Sequence, residues 1–575
     1  MTDQNWIIDT VPSTRYPVYT RLNANDVMPD PVTPLGASLV WIPEVLPAWA
    51  VGNVRMNSFT PEEMSPDPYP PVGGFFYGYL YVNQTYVRIT GIRAGIGADA
   101  IDAAFFAHPN PPRHEPSPTD TNPELSAKMT ELVNWTLTTT TYPDLEEERE
   151  LADRVRAERP DLRAVSDEVL ITLARRAAPL QRIMWGRGYV CASNQSAIGP
   201  GVISSLLGTA DPTLTVRLIG QAGDVDSALP SFALWDLSRV VRADAGMTAA
   251  FDDGADDLLG RLRKDHQDFA ARFEAFVREY GYRGPSEWDI GVHTWETQPE
   301  LPLALIGRLR ELDDGASPFL RREQRAAEAD QALQQALKIL GPNEEAVQTL
   351  RLAIASARRF GAWRERGKTN AVKVLHEVRA PLFELGRRLT ERGELDHPQQ
   401  VFMALESELD HLATHAGTLA DTLRERERQW RQLFEVEPPT FVVSGEPMTT
   451  LADVPRKGRR ELPAVKPGDV LAGAPASAGV ARGRARVITD TAQIAAFEPG
   501  EILVAPQTDP SWTPLFMVAA GVVVDVGAMG SHAMIVSREL GIPCAAGVGD
   551  ATARIPDGTL LEVDGSSGKV TVLEG

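Results

Sequence analysis

One stretch constrains the fold of this chain more than any other. Residues 521–544 read GVVVDVGAMGSHAMIVSRELGIPC. The apolar run over 522–526 predicts a buried strand, because a short Val-rich run bounded by glycine packs on both faces. Gly527, Ala528, Met529 and Gly530 predict a turn. An amphipathic helix over roughly 531–540 follows, stopped by Gly541-Ile542-Pro543. Strand, tight turn and helix in so few residues demand an α/β unit.

The turn carries chemistry. His532 stands beside Ser531 at the helix start, where backbone N–H groups and the helix dipole favour an anion. A positively polarised end disfavours imidazolium, so the ring tends to stay neutral and nucleophilic. Small neighbours leave room for a bulky group on it, including a covalently carried phosphoryl group. The same residues also fit a capping Ser beside a His that merely packs. A metal-ligand reading is weaker, since no His, Cys or carboxylate lies at ligand spacing beside His532.

The surroundings of this segment set the organisation. GVARGRARVI, GEILVAP, GTLLEVDG and KVTVLEG are further short β-runs, so residues 468–575 predict a compact β-rich α/β domain. Residues 436–467 mix prolines, charges and small residues, as a linker does. From about Asn122 to Phe434 helical spacing dominates, with long charged-faced helices over 321–340 and 412–434. The stretch up to about residue 115 is rich in Pro, aromatics and β-formers. Within it GGFFYGYLYVNQTYVRIT, residues 73–90, reads as paired strands. The expected fold is a multidomain α+β chain: a mostly helical domain over 1–435 with a β-rich N-terminal part, a linker over 436–467, and the tail domain.

Charge narrows the partners. The chain has 57 basic and 78 acidic residues, a net charge of −21, which repels phosphate backbones and anionic lipid. The expectation is no nucleic-acid and no membrane partner. The longest apolar stretch, 515–529, is interrupted by Asp525 and too short to span a bilayer. The N-terminus lacks the pattern of a signal peptide, so a cytoplasmic location is expected. Cys191 and Cys544 are the only cysteines and cannot make a disulfide framework.

Ser531-His532 and Arg538-Glu539-Leu540-Gly541-Ile542-Pro543 resemble the phosphohistidine motif of the phosphoenolpyruvate-utilising enzyme family. Ala528 replaces a usual Gly. TDPSWTPLF at 508–516 and AGAPASAGVARGRARVI at 472–488 resemble the swivelling domain of its rifampicin phosphotransferase branch, with Ser511 where Gly is typical. The resemblance implies a compact swivelling β/β/α domain with a phosphohistidine at His532. It implies support of the histidine loop by Gly530, Ser531, Arg538 and Thr508.

Upstream segments resemble the substrate-binding domain of the same branch. NANDVMPDPVTPLGASL at 23–39 carries Thr33 in a proline-stiffened turn. REYGYRGPSEWDIGVHTWETQP at 278–299 carries Arg283, Glu287 and Asp289, which suit either a buried ion network or a substrate site. WRERGKTNAVKVLHEVR at 363–379 resembles an Arg-Glu-x-Pro-Lys segment, with Gly367 in place of Pro. Arg364 and Lys368 are four apart, so one helix face would carry both cations, as a phosphoryl group in transfer requires. Two solvated cations is the plain alternative. The glycine is expected to loosen the turn. Glu365 fits either a pairing role or a base on a substrate hydroxyl.

Other candidates carry less. His411 and His415 are four apart without the HExxH order of a zinc site. His376 and His293 suit a hydrogen-bonded core or surface His better than a general base. Phe75, Phe76, Tyr77, Tyr79 and Tyr81 fit a core face or the lining of an apolar cavity.

No ATP-grasp-like segment or G-x-x-x-x-G-K-[ST] loop is recognised in the chain. The resemblance therefore implies a phosphotransferase subunit of split type, as in phenylphosphate synthase. A separate ATP-grasp domain protein, with ATP and Mg²⁺, would charge His532, and a small hydroxyl-bearing substrate such as an alcohol, a phenol or an antibiotic would receive the phosphoryl group. No metal or cofactor is assigned to this chain. The alternative is a non-catalytic phosphocarrier or regulatory module.

Overall fold

The computed structural model describes residues 9–22, 24–65, 72–102, 106, 110–208, 212–220, 225–254, 256–456, 462–489, 493, 496–508, 512–527 and 531–574. It divides into two compact units. The first comprises Met1–Gln195, Trp288–Val292 and Trp363–Gly458, and the second Ser196–Glu287, His293–Ala362 and Arg459–Gly575. Among the described residues no helix is long and apolar enough to cross a membrane.

The first unit holds a four-stranded antiparallel sheet of β1 (Val18–Thr20), β2 (Gly73–Phe76), β3 (Tyr79–Asn83) and β4 (Phe441–Val443), in the order β2-β3-β1-β4. The β2–β3 hairpin turns through Tyr77 at φ 56° and Gly78 at φ 80°. Two positive φ values in a two-residue loop match the twist of the flanking strands. The paired-strand reading holds to Asn83 and then fails. Asn83 accepts a hydrogen bond from Tyr86 N, and this cap starts a helix, Gln84–Arg93. Phe75, Phe76, Tyr77, Tyr79 and Tyr81 are all 3% exposed or less, so both faces of the hairpin are core.

Helices make up most of the rest of this unit, including Pro143–Ala157 and the last part of a 48-residue helix, Glu344–Glu391. The helix expected over 412–434 is two helices, Leu409–His415 and Ala420–Leu433, separated by a 3-10 turn at Ala416–Thr418.

The second unit combines helices, among them Leu229–Ala243, Glu300–Leu309 and Pro318–Leu340, with an eight-stranded sheet. Its strands are β5 (Val470–Ala472), β6 (Ala474–Ser477), β7 (Val480–Val487), β8 (Ile502–Ala505), β9 (Gly521–Val524), β10 (Cys544–Ala546), β11 (Leu560–Asp564) and β12 (Lys569–Glu574). Their order is β5-β12-β11-β7-β8-β9-β10-β6. β7, β8, β9 and β10 run parallel and the flanking pairs antiparallel. β8 and β9 are buried at every residue, which explains their uninterrupted apolar sequences. The parallel pairs β8–β9 and β9–β10 are joined by crossovers that carry the helices Thr513–Val518 and His532–Leu540.

Candidate active site

In a parallel sheet each strand points its carboxyl end at the start of the next helix, and ligands gather at that edge. Here the carboxyl ends of β8, β9 and β10 lead into Thr508, Asp525 to Gly527, and Gly547 to Asp550. Thr508 is buried at 5% exposure. Residues 528–530, and with them Gly530, lie outside the described residues, as does the side chain of His532.

The helix that starts at His532 is capped by Ser531, whose backbone is extended at φ −69°, ψ 154°. The Ser531 carbonyl accepts from Ile535 N at 3.0 Å. Its hydroxyl makes no capping bond; Oγ is buried and has no hydrogen-bond partner among the described residues. A Cβ on Gly527 would lie 3.1 Å from that Oγ and 3.0 Å from Ala546 Cβ, so glycine keeps the turn against the helix start. The first-turn N–H groups of a helix have no intrahelical acceptor. A helix start with a buried hydroxyl that has no partner among the described residues is a setting for an anion.

Asp525 ties the strand ends to one another. Its N donates to Ala505 O at 3.1 Å, its carbonyl accepts from Gly549 N at 3.0 Å, and its carboxylate accepts from Thr552 N at 3.0 Å and from the Thr552 hydroxyl. Burial pushes its carboxyl up to about 6, against the lowering pull of the Thr552 hydrogen bonds. The sequence reading passed over Asp525 except as a break in an apolar run. A carboxylate ending a Val-rich strand just before the histidine turn was the available signal.

Arg538 lies at the far end of the same helix. It is 8% exposed and donates Nε to Ala476 O at 2.7 Å, tying the last turn to β6. Its place is therefore at the foot of the histidine helix, where a cation also complements the dipole.

The upstream candidates fall in both units. Thr33 and Asp289 meet in the first: Asp289 accepts from Thr33 N at 2.8 Å, Thr33 Oγ1 at 2.9 Å and Gly291 N at 2.6 Å. Burial raises its carboxyl above the usual range. Arg283 and Glu287 pair in the second unit, Nη1 to Oε1 at 3.1 Å, with exposures of 1% and 0%. The three residues grouped in the sequence thus divide into a pair and a separate carboxylate with its own donors.

Arg364, Glu365 and Lys368 share the helix Glu344–Glu391. Lys368 Nζ lies 5.8 Å from the centre of the Trp288 ring, within cation–π range. Trp288 in turn packs at 4.9 Å on Trp185 and 5.7 Å on Tyr189. Glu365 is 5% exposed. Gly367 does not loosen a turn: the helix is continuous, and a Cβ there would stand 2.9 Å from Tyr189 Cα. Glycine serves close approach of two backbones. Behind Tyr189, Glu148 is buried with both carboxyl oxygens lacking partners among the described residues, and burial pushes it up to about 9.

Cys191 and Cys544 are buried, their thiols pushed by desolvation up to about 11 and about 12. His376 is fully buried, and His293 contacts Thr297 Oγ1 at 3.3 Å. His411 and His415 stack ring on ring at 5.3 Å. Among the described residues no cluster of His, Cys, Asp or Glu could hold a metal ion.

Comparison with known proteins bears on both halves of this picture. The family model for the mobile domain of PEP-utilising enzymes matches residues 497–568, and that for the rifampicin phosphotransferase fourth domain matches residues 189–365. The chain is 32% identical over 374 residues to rifampicin phosphotransferase of Streptomyces sviceus, covering 63% of this chain and 41% of that protein. For rifampicin phosphotransferase of Bacillus cereus the identity is 30% over 349 residues, 59% of this chain and 39% of that protein. The prodigiosin synthesizing transferase PigC of Serratia marcescens is 31% identical over 357 residues, 60% of this chain and 38% of that protein. The chain spans about two fifths of the length of these relatives.

Proposed function

Because this chain carries the mobile domain of the PEP-utilising enzymes and is a member of that family, we propose that it is a phosphotransferase subunit whose carrier is His532. An ATP-grasp module on a partner subunit delivers the phosphoryl group. A His532 ring nitrogen bonds to the β-phosphorus as the bond to AMP breaks, and water attacks the γ-phosphorus to break the β–γ bond, so that ATP and water yield the phosphohistidine, AMP and phosphate. The tail domain then presents the phosphohistidine to an acceptor. The acceptor hydroxyl oxygen bonds to phosphorus, the N–P bond breaks, and the hydroxyl proton passes to a base, for which Glu365 is placed on the same helix as Arg364 and Lys368. The two cations balance charge on the transferring oxygens.

The observation that carries this reading is Ser531. Its buried hydroxyl, without a hydrogen-bond partner among the described residues, stands at the N-terminus of the His532 helix and supports an anion seat where the carrier stands. The relatives named for rifampicin favour a small hydroxyl-bearing acceptor of mainly apolar character, an alcohol, a phenol or an antibiotic.

Purified protein is mixed with candidate ATP-grasp proteins and ATP labelled in the β-phosphoryl group. Acid-labile label on the chain that vanishes in His532→Ala is expected. Label that survives the substitution, or none with any partner, overturns the reading.

A further inference from the structure

A cleft of about 640 Å³ opens on the second unit between the helices Leu229–Ala243 and Pro318–Leu340. No step of the phosphoryl route above uses it. One wall is apolar: Trp235, Phe319 and Leu320 line it, and Phe319 and Leu320 are 43% and 44% exposed. The Phe319 ring packs at 4.9 Å on Phe232, which holds it at the rim. The other wall carries Arg239 and Arg242. Arg239 lies over the Trp235 ring at 4.1 Å and donates to Leu309 O, to Leu312 O at 2.8 Å and to Asp314 Oδ1 at 3.0 Å. Arg242 donates Nη1 to Leu312 O, and its Nε and Nη2 groups have no hydrogen-bond partner among the described residues. Asp313 and Asp314 approach its guanidinium only to 3.7 Å and 3.9 Å, beyond hydrogen-bond range, and are 96% and 86% exposed. The chain as a whole has a net charge of −21, so a positive, apolar cleft runs against the trend of its surface.

We propose that this cleft binds an amphipathic anion: an aromatic or aliphatic body carrying one carboxylate or phosphate group. The body covers Trp235, Phe319 and Leu320, and the anion takes the unbonded N–H edge of Arg242. The planar N–H fork of a guanidinium matches two oxygens of a carboxylate or phosphate. The Leu312 carbonyl already holds Arg242, so little side-chain freedom is lost on binding. Helix Pro318–Leu340 starts at Ser317 on the cleft wall without a side-chain cap, and its dipole adds to the positive field. Asp314 is the internal competitor. Its carboxylate occupies the edge of Arg239 that a ligand anion would share, but an ion pair so exposed contributes little and yields to a ligand. The proposal does not rest on the phosphohistidine reading.

The test titrates the full chain with 2-naphthoate by isothermal calorimetry, with 2-naphthyl phosphate and the neutral 2-naphthamide as parallel probes. At least one of the two anions is expected to bind about tenfold more tightly than the amide, and the tighter anion identifies the headgroup. Arg242→Met should remove that preference, and Arg242→Lys should restore part of it. Phe319→Ala should weaken all three probes by about fivefold. Asp314→Asn should tighten the anions alone, by about threefold, because it deletes the competing carboxylate. Arg242, Phe319 and Asp314 are all exposed, so the variants keep the fold. The proposal is overturned by absence of anion binding at millimolar probe, by equal binding of anions and amide, or by a preference that survives Arg242→Met. Anion binding lost in Lys368→Met instead also overturns it, by assigning the probe to the first unit.

Discussion

Thr33 Oγ1 donates to Asp289 Oδ1 at 2.9 Å across 256 residues of chain. With the Thr33 and Gly291 amides, it gives a buried carboxylate three donors, and Trp41 Nε1 bonds Trp288 O at 3.1 Å beside it. The short segment Trp288–Val292 thereby belongs to the first unit although its sequence neighbours belong to the second.

Thr33→Val removes the hydroxyl while keeping the volume. A buried acceptor that loses a donor costs about 1–3 kcal/mol. The midpoint of urea unfolding should fall accordingly, and a change under about 0.5 kcal/mol would show that the bond contributes little.

Ser531→Ala should behave in the opposite way. Its hydroxyl has no partner among the described residues, so stability should stay within about 0.5 kcal/mol of the parent. If Oγ seats a phosphoryl oxygen, the yield or lifetime of label at His532 should fall by about 10²-fold. A stable variant that labels normally removes Ser531 from the site.

Lys368→Met and Arg364→Met should leave labelling of His532 intact. Transfer to the acceptor should slow by about 10²–10³-fold, the usual effect of deleting one charge-stabilising group. Loss of labelling itself would move these cations out of the acceptor step.

Asp525 makes stability depend on pH. Its folded carboxyl is raised from 3.8 to about 6, so its protonated form fits the fold better than its ionised form. The associated stability is fully present below about pH 4 and is lost as pH rises through about 6. Two pKa units set an upper bound of about 3 kcal/mol. Asp525→Asn should flatten that part of the stability–pH curve, and equal slopes for parent and variant would refute the assignment.

Glu148 extends the same argument to higher pH. Its carboxyl, raised from 4.5 to about 9, is neutral at pH 7, so Glu148→Gln mimics the form that is present. The variant should match the parent within about 1 kcal/mol at pH 4, where the carboxyl is neutral folded and unfolded, and exceed it at pH 9, because the unfolded carboxyl ionises above about pH 4.5 while the folded one stays protonated. Parallel urea titrations at the two pH values decide it.

Local patterns were legible where burial is uniform or periodic. The runs over β7, β8, β9, β11 and β12 became strands, and the helix read over 531–540 begins at His532. They failed where a single residue overrode the trend. Asn83 turns a β-like run into a helix by capping it, and the 412–434 pattern breaks at Ala416–Thr418. At Gly367 the sequence suggested looseness because glycine has many conformations. The fold uses its missing side chain instead, to admit the Tyr189 backbone.

By itself the sequence determined the strand before His532 and the helix that begins at it, because those depend on near neighbours and on spacing along a few residues. It also placed Arg364 and Lys368 on one helix. Only the tertiary structure decided which distant groups satisfy buried charge and hydrogen-bonding capacity: Thr33 for Asp289, Thr552 for Asp525, and Ser477 for Arg325. A polar side chain advertises that it needs a partner when buried, but which partner arrives is set by how segments distant in sequence pack within each unit.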